Sequence, residues 1–217
     1  MALDPVHRLV LSVVTGRRTG EHTLLLMEDF HSRTEGRIMN LMTSDENPAY
    51  AEAILQVYGE TVQPKRRGDR GRHPNPIKVP PKDLVYATVH KTREGHRVVD
   101  VETRLIYGTK KTLAEALQLS PVSDQVNTVF IERHNGSDRN RNARKARKTY
   151  CFSKDWDVHE AVTNFTMYSA NFCCPVRTLQ VKGEDGNNLQ RTPAMAANLA
   201  DHRWTMKEWL SYPAVQQ

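Results

Sequence analysis

The sequence predicts an α/β fold from the order of its elements. Segments patterned as strands and as helices alternate between residues 8 and 59, an order that builds a largely parallel sheet covered by helices. The chain has 217 residues, of which 38% are hydrophobic, so it can form one large domain or a domain with an appendage. The formal net charge of +6 favours a polyanionic partner.

The first elements follow from turn signals and from the spacing of apolar residues. A turn at Asp4-Pro5 precedes a β-branched strand at residues 8–14, so the chain starts with a hairpin whose first arm is short. The next predictions, in order, are a helix at 20–33, a buried strand at 37–42, and a helix that starts near Pro48 and ends at Gly59. This order predicts parallel strand pairing.

The middle of the chain interrupts the alternation. Residues 61–83 contain five prolines and a run of cations from Lys65 to Arg72, which predicts an extended basic loop. A hairpin is then predicted, with arms at 84–89 and 97–106 on either side of Glu94-Gly95. A short helix at 113–119 is expected to follow it.

The last third of the chain is predicted to be mostly helical. Ser123 or Asp124 can cap a helix that contains Glu132. Further predictions are a helix at 156–172, a polar loop at 180–190 and a short helix at 205–210, with Trp204 and Trp209 packing through their indoles.

Composition argues against several classes of protein. The three cysteines, Cys151, Cys173 and Cys174, have no CxxC spacing, which argues against a disulfide framework and a structural zinc site and favours buried free thiols in a reducing cytosol. The apolar stretch at residues 9–14 is too short to span a bilayer and lacks a signal-peptide cleavage pattern. We therefore expect a cytoplasmic protein with no membrane partner.

Two carboxylates are candidates for chemistry. Asp45 follows a predicted strand, at the edge where α/β sheets bind ligands, but it could equally cap the helix that starts near Pro48. Glu132 follows three apolar residues and so lies next to a face that we expect to be buried. A carboxylate there needs a metal ion, or a salt bridge to Arg133 or Arg139. The local sequence leaves both pairs of alternatives open.

A run of cations follows Glu132, and its members are Arg139, Arg141, Arg144, Lys145, Arg147 and Lys148. The alternative to phosphate binding is a solvated helix face, but such faces usually mix charges of both signs. Phosphate binding is therefore favoured, and five or six phosphate contacts would make log K fall with log salt at a slope of roughly −4 to −5. His134, beside Glu132, is either a ligand or proton shuttle or an ordinary hydrogen-bonding residue.

Four parts of the chain resemble the DDE transposases of small bacterial insertion sequences, over most of residues 2–180. The segment 127–136 with the basic run and Phe152-Ser153-Lys154 closely resembles the third-acid block of that family. Residues 2–19 are similar to the first hairpin of that family. Asp45 with Tyr50, Ala53 and Gly59 is similar to its second-acid block. The end of its last catalytic helix is similar to Asn171-Phe172-Cys173-Cys174-Pro175.

The resemblance implies a ribonuclease H-like mixed sheet flanked by helices, formed by residues 1–180 with an insertion at about 61–110 and a C-terminal tail at 181–217. It implies that Asp45 and Glu132 are catalytic and bind Mg²⁺ or Mn²⁺ in a two-metal site. It also implies double-stranded DNA as partner (element ends and target), a homodimer or higher oligomer, and a place in the bacterial cytosol or nucleoid. The DNA-binding residues would be Arg133, Asn135, Arg139, Arg141, Arg144, Lys145, Arg147 and Lys148.

The chain departs from the family pattern at two of its acids. The family's first acid lies in a strand ahead of the hairpin, and the early candidate in this chain is Asp4, at the hairpin turn. The second block usually reads Thr-Asp-Gly in the family, whereas this chain has Ser44-Asp45-Glu46, so Glu46 adds bulk and charge beside the metal position.

Two hypotheses follow. The chain is a metal-dependent transposase that cleaves and joins DNA at insertion-element ends, or it is a catalytically inactive truncated transposase that only binds DNA. Without its hairpin partner, the strand at 8–14 would expose an unpaired edge, so we also expect low solubility or dimerisation.

Overall fold

The computed structural model describes residues 1–66, 73–183 and 186–212, which form a mixed α/β arrangement. The strands are β1 Ala2–Asp4, β2 Leu9–Ser12, β3 Met42–Asp45, β4 Glu60–Val62, β5 Ile77–Val79, β6 Tyr86–Glu94, β7 Arg97–Tyr107, β8 Val181–Lys182 and β9 Asn188–Leu189. The helices are α1 Gly20–Arg33, α2 Ala49–Tyr58, α3 Lys110–Gln118, α4 Val129–Arg141, α5 Trp156–Cys173, α6 Pro193–Ala196 and α7 Met206–Ser211, with short 3-10 helices at Ala143–Lys145 and Arg177–Leu179.

The chain folds into two compact units. The continuous unit comprises Gly16–Thr128, and the discontinuous unit joins Met1–Thr15 to Val129–Gln217. These units are defined by contacts within the folded chain. The predicted boundary at residue 180, between a catalytic domain and a C-terminal tail, stays a prediction.

A three-stranded mixed sheet in the order β3-β6-β7 organises the continuous unit. β3 pairs parallel with β6, from Met42 opposite Tyr86 to Asp45 opposite Val89, and β6 pairs antiparallel with β7. Ala87, Val89 and Val126 form a buried apolar cluster on this sheet. The parallel pairing predicted between the first two strands of the alternation is not formed, because β2 lies in a separate two-stranded sheet with β1 and the parallel partner of β3 is β6.

Helix α5 organises the discontinuous unit, because β2, α4, α6 and α7 all lie against it. The Asn171 amide of α5 is hydrogen bonded to both the N–H (3.0 Å) and the C=O (2.9 Å) of Val10 in β2. The Tyr168 hydroxyl accepts a hydrogen bond from the Val13 N–H at 3.1 Å. Side chains of α5 thus bind backbone groups of β2 and of the residue that follows it, while β1 pairs with β2 in a hairpin.

The predicted aromatic packing near the end of the described chain is confirmed. The ring centroids of Phe172 and Trp204 lie 4.7 Å apart, and those of Phe172 and Trp209 lie 5.3 Å apart. The predicted helices at 20–33, 48–59, 113–119, 156–172 and 205–210 and the predicted hairpin at 84–106 are also present, with bounds that differ by at most a few residues.

The strand predicted at 37–42 is wrong in position. Apolar residues at 38, 39, 41 and 42 favoured it, yet the strand begins at Met42 and continues to Asp45. The Met42 N–H donates to the Val85 carbonyl at 2.9 Å, so pairing with β6, and not local apolarity, sets where the strand starts.

Three other local predictions also need correction. Helix α4 begins at Val129, and Ser123 instead closes a turn by accepting hydrogen bonds from the Gln125 N–H and the Asn127 amide. The predicted loops at 61–83 and 180–190 each contain a short antiparallel ribbon, β4 with β5 and β8 with β9. The predicted basic loop also includes residues 67–72, which lie outside the described part of the chain.

Candidate functional site

Asp45 is exposed at the carboxyl end of β3. Asp45 does not cap α2. At the start of that helix, the Asn47 side chain accepts the hydrogen bond from the Ala49 N–H at 3.1 Å. Within the described residues, the Asp45 carboxylate has no hydrogen bond or ion pair with another side chain. An exposed carboxylate without a partner at a strand end fits a cation ligand.

Two tyrosines lie close enough to Asp45 for its charge to act on them. Burial raises the pKa of Tyr86 to about 12, and the Asp45 carboxylate contributes to the rise. Burial likewise raises the pKa of Tyr50, again with a contribution from Asp45. Both phenols therefore stay protonated at neutral pH, and the Tyr86 hydroxyl is hydrogen bonded to Ser44 Oγ at 2.7 Å. This bond fixes the end of β3 just before Asp45.

Glu46, the residue that departs from the pattern of the family that the sequence resembles, is held by His90 and Arg104. Its carboxylate is hydrogen bonded to His90 Nδ1 and to the Arg104 guanidinium. The hydrogen bond from His90 is the main cause that lowers the pKa of the Glu46 carboxyl, and the charge of Arg104 adds to it. The added negative charge beside Asp45 is thus offset locally.

Glu132 lies in the first turn of α4 and is exposed. The three residues before it do not form the buried face that we expected, since Val129 is 55% exposed and Phe130 is covered by Arg8, whose guanidinium carbon lies 4.1 Å from the ring centroid. A carboxylate in a first turn is favoured by the helix dipole, by about 0.3–1 kcal/mol.

Three predicted functional residues share one face of α4. Glu132, Asn135 and Arg139 are spaced i, i+3 and i+7, which places their side chains on the same side of a helix, and all three are exposed. A carboxylate, an amide and a guanidinium are therefore presented together to solvent.

The basic segment, residues 139–148, is not one continuous helix. Helix α4 ends at Arg141, and a 3-10 helix follows at Ala143–Lys145, where Asn142 Oδ1 accepts from the Arg144 N–H at 3.1 Å. The exposed cations of the site are Arg133, Arg139, Arg141, Arg147 and Lys148, and Arg144 is half-buried.

Lys145 differs from the other cations because it has an internal partner. Its ammonium lies 2.9 Å from the Asp138 carboxylate, and the two side chains are only 19% and 7% exposed. We assign this pair to holding the basic segment against α4, since a covered ammonium contributes little to binding an outside phosphate.

Asp4 and His134 are both engaged within the fold. The Asp4 carboxylate accepts a hydrogen bond from the Val6 N–H at 2.8 Å and is bonded to His7, as the hairpin turn requires. His134 Nε2 lies 3.3 Å from the Met167 sulfur. Burial lowers the pKa of His134, and the charge of Arg141 lowers it further, so the imidazole is neutral at pH 7.

Sequence reasoning missed a group of exposed aromatic side chains just after the basic segment. Tyr150, Phe152 and Trp156 are 99%, 60% and 54% exposed, respectively. The signal was present in the sequence, because these aromatics alternate with Lys148 and Lys154. Of the predicted buried thiols, Cys173 is buried, but Cys151, in this same stretch, is exposed.

Asp45 lies in the continuous unit, and Glu132 lies in the discontinuous unit. In the described part of the chain, no three His, Cys, Asp or Glu side chains are grouped to hold a metal ion. No helix there is both long and apolar enough to cross a membrane.

Comparison of the chain with protein families, with curated proteins and with solved structures found no match.

Proposed function

We propose that this chain is a DDE-type transposase with a ribonuclease H-like catalytic domain, which cleaves phosphodiester bonds and transfers strands at the ends of an insertion element. The observation that carries the proposal is the exposed face of α4, where Glu132, Asn135 and Arg139 lie together. A carboxylate beside phosphate-binding groups suits the binding of a divalent ion next to a nucleic-acid backbone.

Asp45 and Glu132 would hold Mg²⁺ or Mn²⁺, whose chemistry is to activate a water or a DNA 3′-hydroxyl and to stabilise the leaving oxygen. Asp45 supports this role because its carboxylate is exposed and does not cap α2. Glu132 supports it because its carboxylate is exposed on the same helix as Arg133 and Arg139.

The cations would bind and orient the DNA. Arg139, Arg141, Arg147 and Lys148 are exposed, and guanidinium groups bind phosphate oxygens through paired hydrogen bonds. Contacts of this kind fix the position of the backbone and carry little base sequence information, so they suit both element ends and target DNA.

A second candidate is a transposase-like protein that is catalytically inactive and only binds DNA. The hydrogen bonds of Asp4 favour it, since its carboxylate, the candidate for the first acid, is already hydrogen bonded to the Val6 N–H and to His7. Removing one acid from a three-acid site should abolish most of the metal-dependent chemistry, while the exposed cations would still bind phosphates.

The experiment is a nicking and strand-transfer assay on supercoiled plasmid with Mn²⁺, comparing the chain with its Glu132→Gln and Asp45→Asn variants. Glu21→Gln is the matched control, since Glu21 is an exposed glutamate in the first turn of α1. The transposase proposal expects nicking that both site variants lose and the control keeps. Loss of a metal-binding carboxylate should lower the rate at least about 100-fold.

Two other outcomes decide between the candidates. DNA binding without nicking in the unchanged chain would favour the inactive DNA-binding protein. Nicking that survives in both Glu132→Gln and Asp45→Asn would refute the assignment of these acids.

A further inference from the structure

An open cavity of about 550 Å³ lies beside the basic segment, within the discontinuous unit. One part of its lining is apolar and includes Ala143, Phe152, Val158 and Val162. Its volume falls in the range of about 300–1,000 Å³ that is typical of small-molecule sites. Phe152 keeps 60% of its surface exposed, so a flat ligand can reach its ring from solvent.

The same cavity has cations in its lining. Arg141, Arg144 and Lys154 contribute to it, together with Asp155. The Asp155 carboxylate is occupied as the cap of α5, where it accepts from the Val158 N–H at 2.9 Å. The charge available to a ligand is therefore mostly positive, and the neighbouring Arg147 and Lys148 extend it along the surface.

A buried amide adds a polar group to the lining. Asn142 is only 3% exposed, and its Oδ1 is bonded to the Arg144 N–H. Its Nδ2 has no hydrogen-bond partner among the residues that the structure describes. Because that Nδ2 atom is itself buried, the amide forms part of the cavity wall and is not a contact for a ligand.

We propose that this cavity takes one unstacked nucleobase of a DNA strand. The base stacks on Phe152, and its flanking phosphates contact Arg144 and Lys154. The combination of an aromatic platform with cations along the backbone is the one by which proteins bind single strands without sequence preference. This inference rests on the proposed DNA binding and adds a base-binding site to it.

The base could come from a single strand or from a duplex that has been locally opened, and the chemistry of the site is the same for both. The test measures fluorescence anisotropy of the full chain, in EDTA, with three DNA probes. These are a single-stranded oligothymidine, a fully paired duplex, and the same duplex with one thymine opposite an abasic site. EDTA removes any metal-dependent cleavage from the readout.

Phe152→Ala is the decisive variant, and Phe165→Ala is its control, because Phe165 is an exposed phenylalanine of α5 that does not line the cavity. We expect Phe152→Ala to weaken single-strand binding by about 5- to 150-fold, the loss of about 1–3 kcal/mol for one stacked base. Its affinity for the fully paired duplex should stay within about two-fold, since phosphate contacts carry that binding.

The abasic duplex identifies the source of the base. If Phe152→Ala weakens binding to it as well, the site also accepts a base extruded from a duplex; if not, the site is restricted to single strands. The inference is overturned if Phe152→Ala and Phe165→Ala behave alike on the single strand, or if Phe152→Ala weakens all three probes equally.

A second measurement needs no variant. Cys151 is exposed and lines the cavity, whereas Cys173 is buried, so alkylation by iodoacetamide followed by mass spectrometry reports on occupancy. Oligothymidine should slow modification of Cys151, and unchanged modification at saturating oligothymidine would refute the site. Because both measurements omit metal, they can succeed even if the nicking assay fails, in which case only the catalytic part of the proposed function is lost.

Discussion

At the residue scale, Asn171 gives Val10 the two hydrogen bonds that a neighbouring strand would otherwise provide. Both residues are buried, at 4% and 3% exposure. Truncating Asn171 leaves the N–H and C=O of Val10 without partners in a place that water does not reach easily. Each such group costs about 1–3 kcal/mol.

We therefore expect Asn171→Ala to lower the free energy of unfolding by about 2–6 kcal/mol in urea denaturation. Asn171→Asp should be destabilising as well, because a carboxylate accepts from the N–H but cannot donate to the C=O, and it adds a buried charge. The control Asn140→Ala, at an exposed position of α4, should change the stability by less than about 0.5 kcal/mol. Equal effects of Asn171→Ala and Asn140→Ala would contradict the strand-like role of Asn171.

His134 predicts a dependence of stability on pH. Burial, and then the charge of Arg141, lower the pKa of its imidazole in the folded state. The unfolded chain then binds a proton more readily, so this residue's contribution to stability is fully present above the unfolded pKa and is lost as pH falls toward the folded pKa. We expect His134→Gln to weaken the loss of stability between about pH 7 and about pH 5.

The measurement is urea denaturation at several pH values, with Met167→Leu as control. That substitution removes the sulfur contact of His134 but leaves the titrating group, at a cost of less than about 1.5 kcal/mol. Its stability should fall with pH as steeply as that of the wild type. A His134→Gln variant with an unchanged pH profile would show that the imidazole is not the group involved.

At the scale of elements, the strand that favours self-association is β7, and not the strand predicted at 8–14. We expected an unpaired edge on the strand at 8–14, but β2 pairs with β1 and with side chains of α5. The long edge strand is instead β7, at one side of the three-stranded sheet. Its Val98, Val99 and Val101 are between 45% and 56% exposed, and exposed apolar edge strands promote pairing between chains.

We expect the chain to scatter more light than a monomer, and the double substitution Val99→Lys/Val101→Lys to reduce the scattering, because charged residues on an edge oppose strand pairing. Leu119→Lys is the control, since Leu119 is 75% exposed but lies outside any strand. A monomeric wild-type chain would contradict the expectation. If Leu119→Lys reduced the scattering as much, general surface apolarity would be the cause and not the β7 edge.

Elements with a strong local pattern could be predicted from the sequence, and those fixed by distant partners could not. Helix α1 has the predicted bounds 20–33, because Thr19 caps its start and apolar residues recur at helical spacing. The start of β3 depends on its parallel register with Tyr86, which lies more than forty residues away. The strands β4 and β5 were missed for another reason, because the prolines around them favour a loop.

At the scale of the whole molecule, the arrangement of charge predicts how the proposed DNA binding should depend on salt. Arg139, Arg141, Arg144, Arg147 and Lys148 can reach phosphates, whereas Lys145 is paired with Asp138. With those five contacts, log K should fall against log salt with a slope of roughly −4 to −5. Arg147→Ala should reduce the magnitude of the slope by about 0.9.

Lys145→Met provides the contrast, measured on the same duplex over the same salt range. It should leave the salt slope unchanged while it lowers the stability of the chain, because it leaves the Asp138 carboxylate covered and without its partner. If Lys145→Met reduced the slope as Arg147→Ala does, the ammonium would bind phosphate directly and the assigned structural role would be wrong.

The sequence could indicate which residues form the candidate site, but it could not predict their partners or the cavity beside them. The sequence indicated Asp45, Glu132 and the cations, and it left open whether Asp45 caps a helix. Asp45 does not cap it: the N-cap of α2 is Pro48, and the Ala49 N–H is bound by the Asn47 side chain, which depends on the backbone at the start of α2. The pairing of Asp138 with Lys145 and the cavity beside Phe152 depend on the end of α4 and on the path of residues 142–155, for which periodicity gives no signal.

The bond between Val10 and Asn171 also orders events during synthesis, because 161 residues separate its two ends. A ribosome that adds about 5–20 residues per second needs roughly 8–32 s to make that length. Throughout this interval the nascent β1–β2 hairpin lacks the helix that covers it, while Gly16–Thr128 is already complete and can form its own core. The continuous unit can therefore fold first, and the discontinuous unit can close only after α5 has left the exit tunnel.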